Sequence, residues 1–252
     1  MNQYSRRYEL KDRAKDTLIG NYGTLILGSF LFLLIICLVI FIFGFAFFLS
    51  LIVSFYSGGG YSLAAFRLFR TGLLLGQVLS GFLGFGISYI CLKLACGQPG
   101  SYTDVFYGFS RNNVFKTLLL TVIRLAFSYI CILPGEYLRA DYMRTQNASL
   151  LLITIFTYVI GCCVYIPVAL ALDMTYFLLL DFPDKKAAGI IRDSFRLIKG
   201  NRKRLFFLQL SFIPLRLLNL LTLGVGSIWL EPYMNMTYTV FYLDLINPKK
   251  VS

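Results

Sequence analysis

The chain has 252 residues, of which 58% are hydrophobic and 14% are charged, and its mean hydropathy is +0.71. This composition excludes an ordinary soluble domain, so the lipid bilayer is the solvent in which the fold must be explained. The formal net charge is +12. Because the cations lie between apolar runs, they are typical of the charge bias that orients membrane proteins, and we do not expect nucleic acid as a partner.

The sequence contains few residues that could carry out a reaction. It has no histidine, and so lacks the commonest general base and the commonest metal ligand. Its six cysteines lie in or beside apolar runs, where a free cysteine behaves as a small hydrophobic residue, and their spacing fits neither a zinc site nor a disulfide framework. We therefore expect no catalytic residues, no cofactor, no metal and no enzymatic activity.

Six apolar runs predict an all-α fold, a polytopic membrane helical bundle with six transmembrane helices. The first run is longer than the apolar core of a signal peptide and is interpreted as a retained span. The second is rich in glycine, which lets helices approach closely, so we expect it to be tightly packed. Pro134 and Gly135 are expected to end the third span. The first four predicted spans lie within Thr24–Tyr56 and at about Gly72–Ala95, Val114–Leu133 and Ala148–Leu172.

Two shorter features connect these spans. A glycine-containing loop is predicted at residues 56–62, after the first span. After the second span, Ser101 and Asp104 have the spacing of a capping box, in which each side chain accepts a hydrogen bond from the other residue's backbone amide. We therefore expect a short helix to begin at this point.

The most highly charged segment, residues 181–204, holds eight cations and three aspartates. Ile190, Ser194 and Ile198 share one helical face, and cations occupy the other. This pattern predicts a basic amphipathic helix that lies in the membrane interface, with its apolar face in the lipid and its cations among anionic headgroups. The residues predicted to contact headgroups are Arg192, Arg196, Lys199, Arg202, Lys203 and Arg204.

The last two predicted spans are Leu205–Thr222, which contains Pro214, and Ile228–Ile246. Either could instead be a re-entrant element. With six spans, one membrane face receives eighteen cations and the other receives four. By the positive-inside rule, this asymmetry supports an even number of spans and predicts that both termini lie in the cytoplasm. A five-span alternative would place Lys249 and Lys250 outside.

Ionisable residues in or near the predicted spans are costly and are normally paired or hydrated. Lys93 is expected to extend to an interface, and the candidates for a polar intramembrane site are Arg124, Asp173, Arg216 and Glu231. An ion pair between Arg124 and Asp173 would join the third and fourth spans. The alternative is that these residues line a polar cavity.

A glycine junction recurs along the chain at Gly20, Gly108 and Gly200, with separations of 88 and 92 residues. Each glycine follows a short amphipathic segment and precedes a pair of predicted spans. Such even spacing indicates a threefold repeat of an amphipathic helix plus two spans, with units of about 1–96, 97–180 and 181–252 inside a single membrane domain. These parallel units differ from the inverted repeats of many transporters.

Several motifs resemble those of a bacterial integral membrane family, domain of unknown function 975. They include LKDRAKDTLIGNYG (Leu10–Gly23), DSFRLIKGN (Asp193–Asn201) and the run Trp229-Leu230-x-Pro232-Tyr233. The resemblance covers both ends of the chain and, by its layout, the whole length. It implies a multi-span protein of low-GC Gram-positive bacteria, with no established activity and no catalytic residues to assign.

Two functions therefore remain open. The first is a non-enzymatic membrane protein that engages anionic lipid, or partner membrane proteins, through its basic cytoplasmic helices. The alternative is a transporter or channel for a small solute or peptide that uses a polar intramembrane cavity. The repeated basic junction favours the first function, and the intramembrane charges favour the second.

Overall fold

The computed structural model describes residues 2–57, 63–111, 113–222, 224–247 and 249–250, and most of them are helical, as predicted. A 3₁₀ helix, Tyr102–Phe109, precedes α4, and the two-residue strands β1 (Asn2–Gln3) and β2 (Lys249–Lys250) pair antiparallel. Residues 58–62 of the predicted glycine loop lie outside the described residues. The α-helices are α1 (Arg7–Leu18), α2 (Tyr22–Tyr56), α3 (Leu63–Ala95), α4 (Val114–Thr145), α5 (Ala148–Asp173), α6 (Thr175–Asp181), α7 (Ala187–Ile198), α8 (Arg202–Leu210), α9 (Ile213–Leu221) and α10 (Ser227–Ile246).

Five helical segments in the described part of the chain are long and apolar enough to cross a membrane, so the protein is a multi-pass membrane protein. Two of these segments each combine a pair of consecutive helices, α5 with α6 and α8 with α9. The sixth predicted span forms helix α10 but is not among the five. The segments are Tyr22–Tyr56, Leu63–Ala95, Val114–Thr145, Ala148–Asp181 and Arg202–Leu221.

Helix α4 corrects the prediction that Pro134 ends the third span, because it continues through the proline to Thr145. Membrane helices tolerate proline when neighbouring groups satisfy the freed backbone. Gly135 instead permits a close contact, since an added Cβ would lie 2.5 Å from the Tyr158 ring of α5. At 32 residues, α4 is about 48 Å long and exceeds the ~30 Å hydrocarbon core.

The chain forms two compact units, each built from segments that are distant in sequence. One unit contains Tyr8–Leu118 and Pro214–Val240. The other contains Met1–Arg7, Leu119–Ile213 and Phe241–Ser252.

In the unit that contains Tyr8–Leu118, glycines allow the 3₁₀ helix to pack directly on α3. A Cβ on Gly86 would lie 1.9 Å from the Val105 carbonyl oxygen, and one on Gly108 would lie 2.6 Å from the Phe82 carbonyl oxygen. Each glycine therefore lets its own helix approach the backbone of the other helix directly. Small residues allow the same close approach between membrane helices. This confirms the prediction that the glycine-rich second span is tightly packed.

The 3₁₀ helix is held at its start by the predicted capping box. The Ser101 hydroxyl accepts a hydrogen bond from the Thr103 amide, and the Asp104 carboxylate accepts one from the Ser101 amide at 3.0 Å. The same carboxylate lies 2.8 Å from the Lys93 ammonium near the end of α3. One aspartate thus fixes the start of the 3₁₀ helix and ties it to the preceding helix.

Substitution of Gly86 by alanine tests this backbone contact. We expect Gly86→Ala to lower the free energy of unfolding by about 1–3 kcal/mol, because the new methyl group would overlap the Val105 carbonyl. Gly84→Ala is the matched control in the same helix, since a Cβ there has nothing within 4 Å. Thermal denaturation in detergent measures both, and equal stability of the two variants would contradict the packing.

Candidate functional site

The junction before α8 and the junction before α2 have the same backbone geometry. Gly20 and Gly200 adopt left-handed conformations, with φ of +83° and +89°, which glycine adopts without steric cost. The amides of Asn21 and Asn201 donate hydrogen bonds to the carbonyls three residues earlier, at 2.9 and 2.8 Å. The helices before these turns, α1 and α7, are both 12 residues long. The repeated sequence LIGN and IKGN therefore forms a repeated structure.

The middle junction corrects the choice of Gly108 as the equivalent glycine. Gly108 lies inside the 3₁₀ helix and is not among the described glycines with positive φ. The feature that recurs there is the asparagine: Asn113, like Asn21 and Asn201, lies immediately before a helix, and its amide donates to the Ser110 carbonyl at 2.8 Å. The fourth residue after each asparagine is buried in all three places. These residues are Leu25, Thr117 and Leu205.

Helix α7 has one buried face and one exposed face. Ile190 and Ile198 are fully buried, and the buried Ser194 hydroxyl donates a hydrogen bond to the Ala171 carbonyl of α5. The helix contacts both α5 and α6. The prediction that its apolar face enters the lipid is therefore wrong, because protein already covers that face.

Cations occupy the exposed face of α7 and the start of α8. Five of the six predicted headgroup residues are exposed, and none of these five forms an ion pair with a described residue. They are Arg192, Arg196, Lys199, Arg202 and Lys203, and we call them the basic face. The nearby Asp193 accepts a hydrogen bond from Lys185 at 2.9 Å, and this bond, with the charges of Lys185, Arg196 and Arg192, holds the pKa of that carboxyl below its usual value.

The sixth predicted headgroup residue, Arg204, binds protein instead. Its guanidinium donates hydrogen bonds to Asp244 and to the Ser5 carbonyl, both at 2.8 Å, and to the Asn201 side chain at 2.9 Å. It also stacks over the Tyr4 ring at 4.6 Å. Its position among the lysines and arginines of residues 199–204 gave no indication of this different role.

Sequence reasoning missed Asp244, whose side chain is 2% exposed. Its buried carboxylate is compensated by hydrogen bonds from the Arg204 guanidinium and from the Ser5 backbone amide. The Ser5 amide donates to both carboxylate oxygens, at 3.1 and 3.2 Å. An acid in the last turn of an apolar helix was the available signal, because a helix C-terminus disfavours negative charge unless a cation compensates. We call the contacts among Ser5, Arg204 and Asp244 the terminal clasp.

The intramembrane charges Arg124 and Asp173 lie together, with a guanidinium nitrogen 2.9 Å from a carboxylate oxygen. Arg124 is ten residues from the start of α4, about 15 Å along the helix, and Asp173 is eight residues from the end of α6, about 12 Å. Their depths therefore match. The side chains are 37% and 30% exposed in the protein alone.

Other polar side chains surround this ion pair. The Tyr176 hydroxyl lies 3.2 Å from the Thr121 hydroxyl. Tyr165 and Tyr176 are within hydrogen-bonding reach of Arg124, and Gln209 is within reach of Asp173. Helix α5 ends at Asp173, and α6 begins two residues later. The pair therefore lies beside a helix break and within a polar network, where ionised groups are least costly.

The family model described as a protein of unknown function, DUF975, matches residues 1–249. The chain belongs to the DUF975 family. No curated protein and no solved structure matches it. Membership in DUF975 agrees with the resemblance of the terminal motifs and assigns no activity to any residue.

The other two intramembrane charges of this DUF975 protein, Arg216 on α9 and Glu231 on α10, are both exposed. Neither forms an ion pair with a residue in the described part of the chain. In the same described part, no cluster of three or more Cys, Asp or Glu residues could hold a metal ion. The two features that combine several functional groups are thus the basic face with its terminal clasp and the Arg124–Asp173 network.

A double-mutant cycle measures the coupling between Arg124 and Asp173. We expect Arg124→Leu and Asp173→Leu each to lower the free energy of unfolding by up to about 3 kcal/mol, because each leaves one charge unpaired in the membrane. The double mutant should lose less than the sum of the two, and SDS titration in mixed micelles measures this difference.

The Glu136–Arg139 pair is the matched control, since it lies on the same helix and its side chains are 45% and 55% exposed. Its cycle should show a coupling close to zero, as is typical of exposed pairs. Additive losses at Arg124 and Asp173 would mean that the two charges do not stabilise each other.

Proposed function

We propose that this protein is a non-enzymatic, six-span protein of the bacterial plasma membrane that binds anionic lipid headgroups on the cytoplasmic leaflet through its basic face. The observation that carries the proposal is the division of α7 between a face buried in protein and a face of exposed cations. Because the apolar face is already covered, the contact with lipid is electrostatic and does not require insertion of the helix.

The charge distribution supports this mode of binding. The basic face carries five cations within twelve residues of sequence, and the neighbouring ion pairs, Lys185 with Asp193 and Arg204 with Asp244, include none of these five. Each cation near an anionic leaflet contributes about 1 kcal/mol, and the contribution falls off within a Debye length. The proposed binding is therefore sensitive to salt.

The six-span topology is supported by the contact between the two ends of the chain. Asn2 and Gln3 pair with Lys250 and Lys249, which supports the proposal that both termini lie on one side of the membrane. A chain with both ends on one side crosses the membrane an even number of times. Five candidate spans plus α10 satisfy this condition, and α10 needs less apolar sequence because many of its side chains are buried in protein.

The alternative function, transport of a small solute or peptide, has one supporting observation. The Arg124–Asp173 pair lies at matched depth beside a helix break, and about a third of each side chain is exposed. Intramembrane charges next to broken helices mark ligand sites in many transporters. Under this alternative, the two charges bind separate groups of a ligand, and the double-mutant cycle above gives additive losses.

Cysteine labelling tests the six-span topology. In a background with the six native cysteines replaced, we expect Val225→Cys, in the turn before α10, to react with an impermeant maleimide added to intact cells. Asn247→Cys, after α10, should react only once the membrane is permeabilised. Both positions are exposed. Gln146→Cys, between α4 and α5, is the control for the outer face, and protection of Val225→Cys in intact cells would indicate four crossings.

Neutralising the exposed cations of α7 tests lipid binding. We expect Arg192→Gln, Arg196→Gln and Lys199→Gln together to weaken binding of dioleoyl phosphatidylglycerol by up to about 100-fold, from about 1 kcal/mol per cation. Native mass spectrometry of the full-length protein in non-ionic detergent, with dioleoyl phosphatidylcholine as the neutral lipid, measures the bound lipids.

The matched control removes three exposed cations that the charge count places on the opposite face. It combines Arg67→Gln, Arg70→Gln and Arg144→Gln, which change the net charge by the same amount. Equal loss of phosphatidylglycerol from both triple variants would show that total charge, and not the basic face, determines binding.

A further inference from the structure

The N-terminal arm, Tyr4–Arg7, packs against the first two turns of α8. Arg204 of α8 donates a hydrogen bond to the Ser5 carbonyl at 2.8 Å and lies over the Tyr4 ring. One turn further along the helix, the Arg7 guanidinium lies 5.5 Å from the centre of the Phe207 ring. Residues that are 199 positions apart in sequence are thus adjacent in space.

Asp244 holds this arrangement together. It is the only group in the terminal clasp that contacts both the backbone amide of Ser5 and the guanidinium of Arg204. Its side chain is almost fully buried, and charge-assisted hydrogen bonds are roughly twice as strong as neutral ones. The β1–β2 pairing lies next to the clasp and joins the same two ends of the chain.

The clasp has a consequence for the charges around it. Its carboxylate compensates Arg204, while Arg6 and Arg7 of the arm and Arg202 and Lys203 of α8 remain exposed. The clasp therefore places the arm, which carries Arg6 and Arg7, beside the start of α8, which carries Arg202 and Lys203. Without the clasp, the arm would be a flexible segment and its charges would stay away from α8. Like charges repel, and ordering the arm costs conformational entropy.

We propose that Asp244 is a positioning residue that assembles a composite basic surface, formed by Arg6, Arg7, Arg202 and Lys203, for the phosphate groups of anionic lipids. This proposal rests on the proposed function and extends the lipid-binding surface to the N-terminal arm, since Arg202 and Lys203 belong to both the basic face and the composite surface. Arginine suits it because the guanidinium donates paired hydrogen bonds to phosphate oxygens. A soluble acidic protein is the alternative occupant, and the experiment distinguishes it.

The substitution Asp244→Asn distinguishes an effect of clasp assembly from an effect of net charge, because the two predict opposite changes in the retention of phosphatidylglycerol. It keeps the shape of the side chain and raises the net charge by one. If the cations acted only through their sum, retention of phosphatidylglycerol would stay the same or increase. If the clasp assembles the surface, retention falls about ten-fold, because the two arginines of the arm are released. Asp184→Asn is the matched control, since it makes the same charge change at an exposed site.

Two further measurements keep the result interpretable. Hydrogen exchange of residues 2–7 should increase in Asp244→Asn and not in Asp184→Asn, which reports release of the arm. Arg7→Gln removes one cation while leaving the clasp intact, so it should weaken retention of phosphatidylglycerol even if Asp244→Asn fails to fold. Full retention in Arg7→Gln, or in a folded Asp244→Asn, would overturn the composite surface.

The two proposals fail in different ways. If neutralising Arg192, Arg196 and Lys199 lowers retention but Asp244→Asn does not, lipid binding stands and the composite surface is wrong. If only Asp244→Asn and Arg7→Gln lower it, the composite surface stands and the cations of α7 are not involved. If lipid retention is unchanged in all variants and a co-purifying acidic protein is lost from Asp244→Asn, then that protein, and not lipid, is the occupant of the composite surface.

Discussion

Hydrocarbon offers no hydrogen-bond partner to the peptide backbone, and this constraint shapes most of the structure. Each spanning segment must satisfy its own amides and carbonyls, which a continuous helix does. The difficult positions are the helix ends, where four groups at each end lack an intrahelical partner. At the three junctions, an asparagine amide bonds back to the helix or turn that has just ended, and its carbonyl begins the next helix. The same solution recurs because the same problem recurs at each entry into the membrane.

The constraint on charge is as severe as the constraint on the backbone. Arg124 and Asp173 lie together in the spans and are surrounded by hydroxyl and amide side chains. Arg204, near the start of α8, lies together with Asp244, near the end of α10, and there the carboxylate also accepts two bonds from Ser5. The cations without such partners are exposed on α7 and α8. These paired charges have little access to water and are structural. The exposed cations of α7 and α8 have access to water and are available to a ligand.

Sequence patterns predicted the helices and the two faces of α7 well, because hydrophobic periodicity depends on local spacing. They failed where an outcome depended on contacts between distant segments. Pro134 signals a helix end locally, yet the helix continues because its neighbours accommodate it. Gly108 matched the spacing of Gly20 and Gly200, but it lies inside the 3₁₀ helix, and the hydrogen bond that recurs is made by Asn113.

The candidate site shows the same division between local and distant information. The exposed cations of the basic face followed from composition and periodicity. The different role of Arg204 did not, because it depends on Asp244, forty residues away, and on the first few residues of the chain. Likewise, the apolar face of α7 was predicted to enter lipid, because the sequence of α7 alone does not show that α5 and α6 cover it.

The terminal clasp also sets an order of events during synthesis. The hydrogen bond between Ser5 and Asp244 spans 239 residues, so it cannot form until Asp244 has been made. At about 5–20 residues per second, this interval lasts on the order of tens of seconds. Arg204 and Phe207, which also contact the arm, are made before Asp244, so the arm can meet α8 before the clasp closes. A product that is truncated before Asp244 has no clasp.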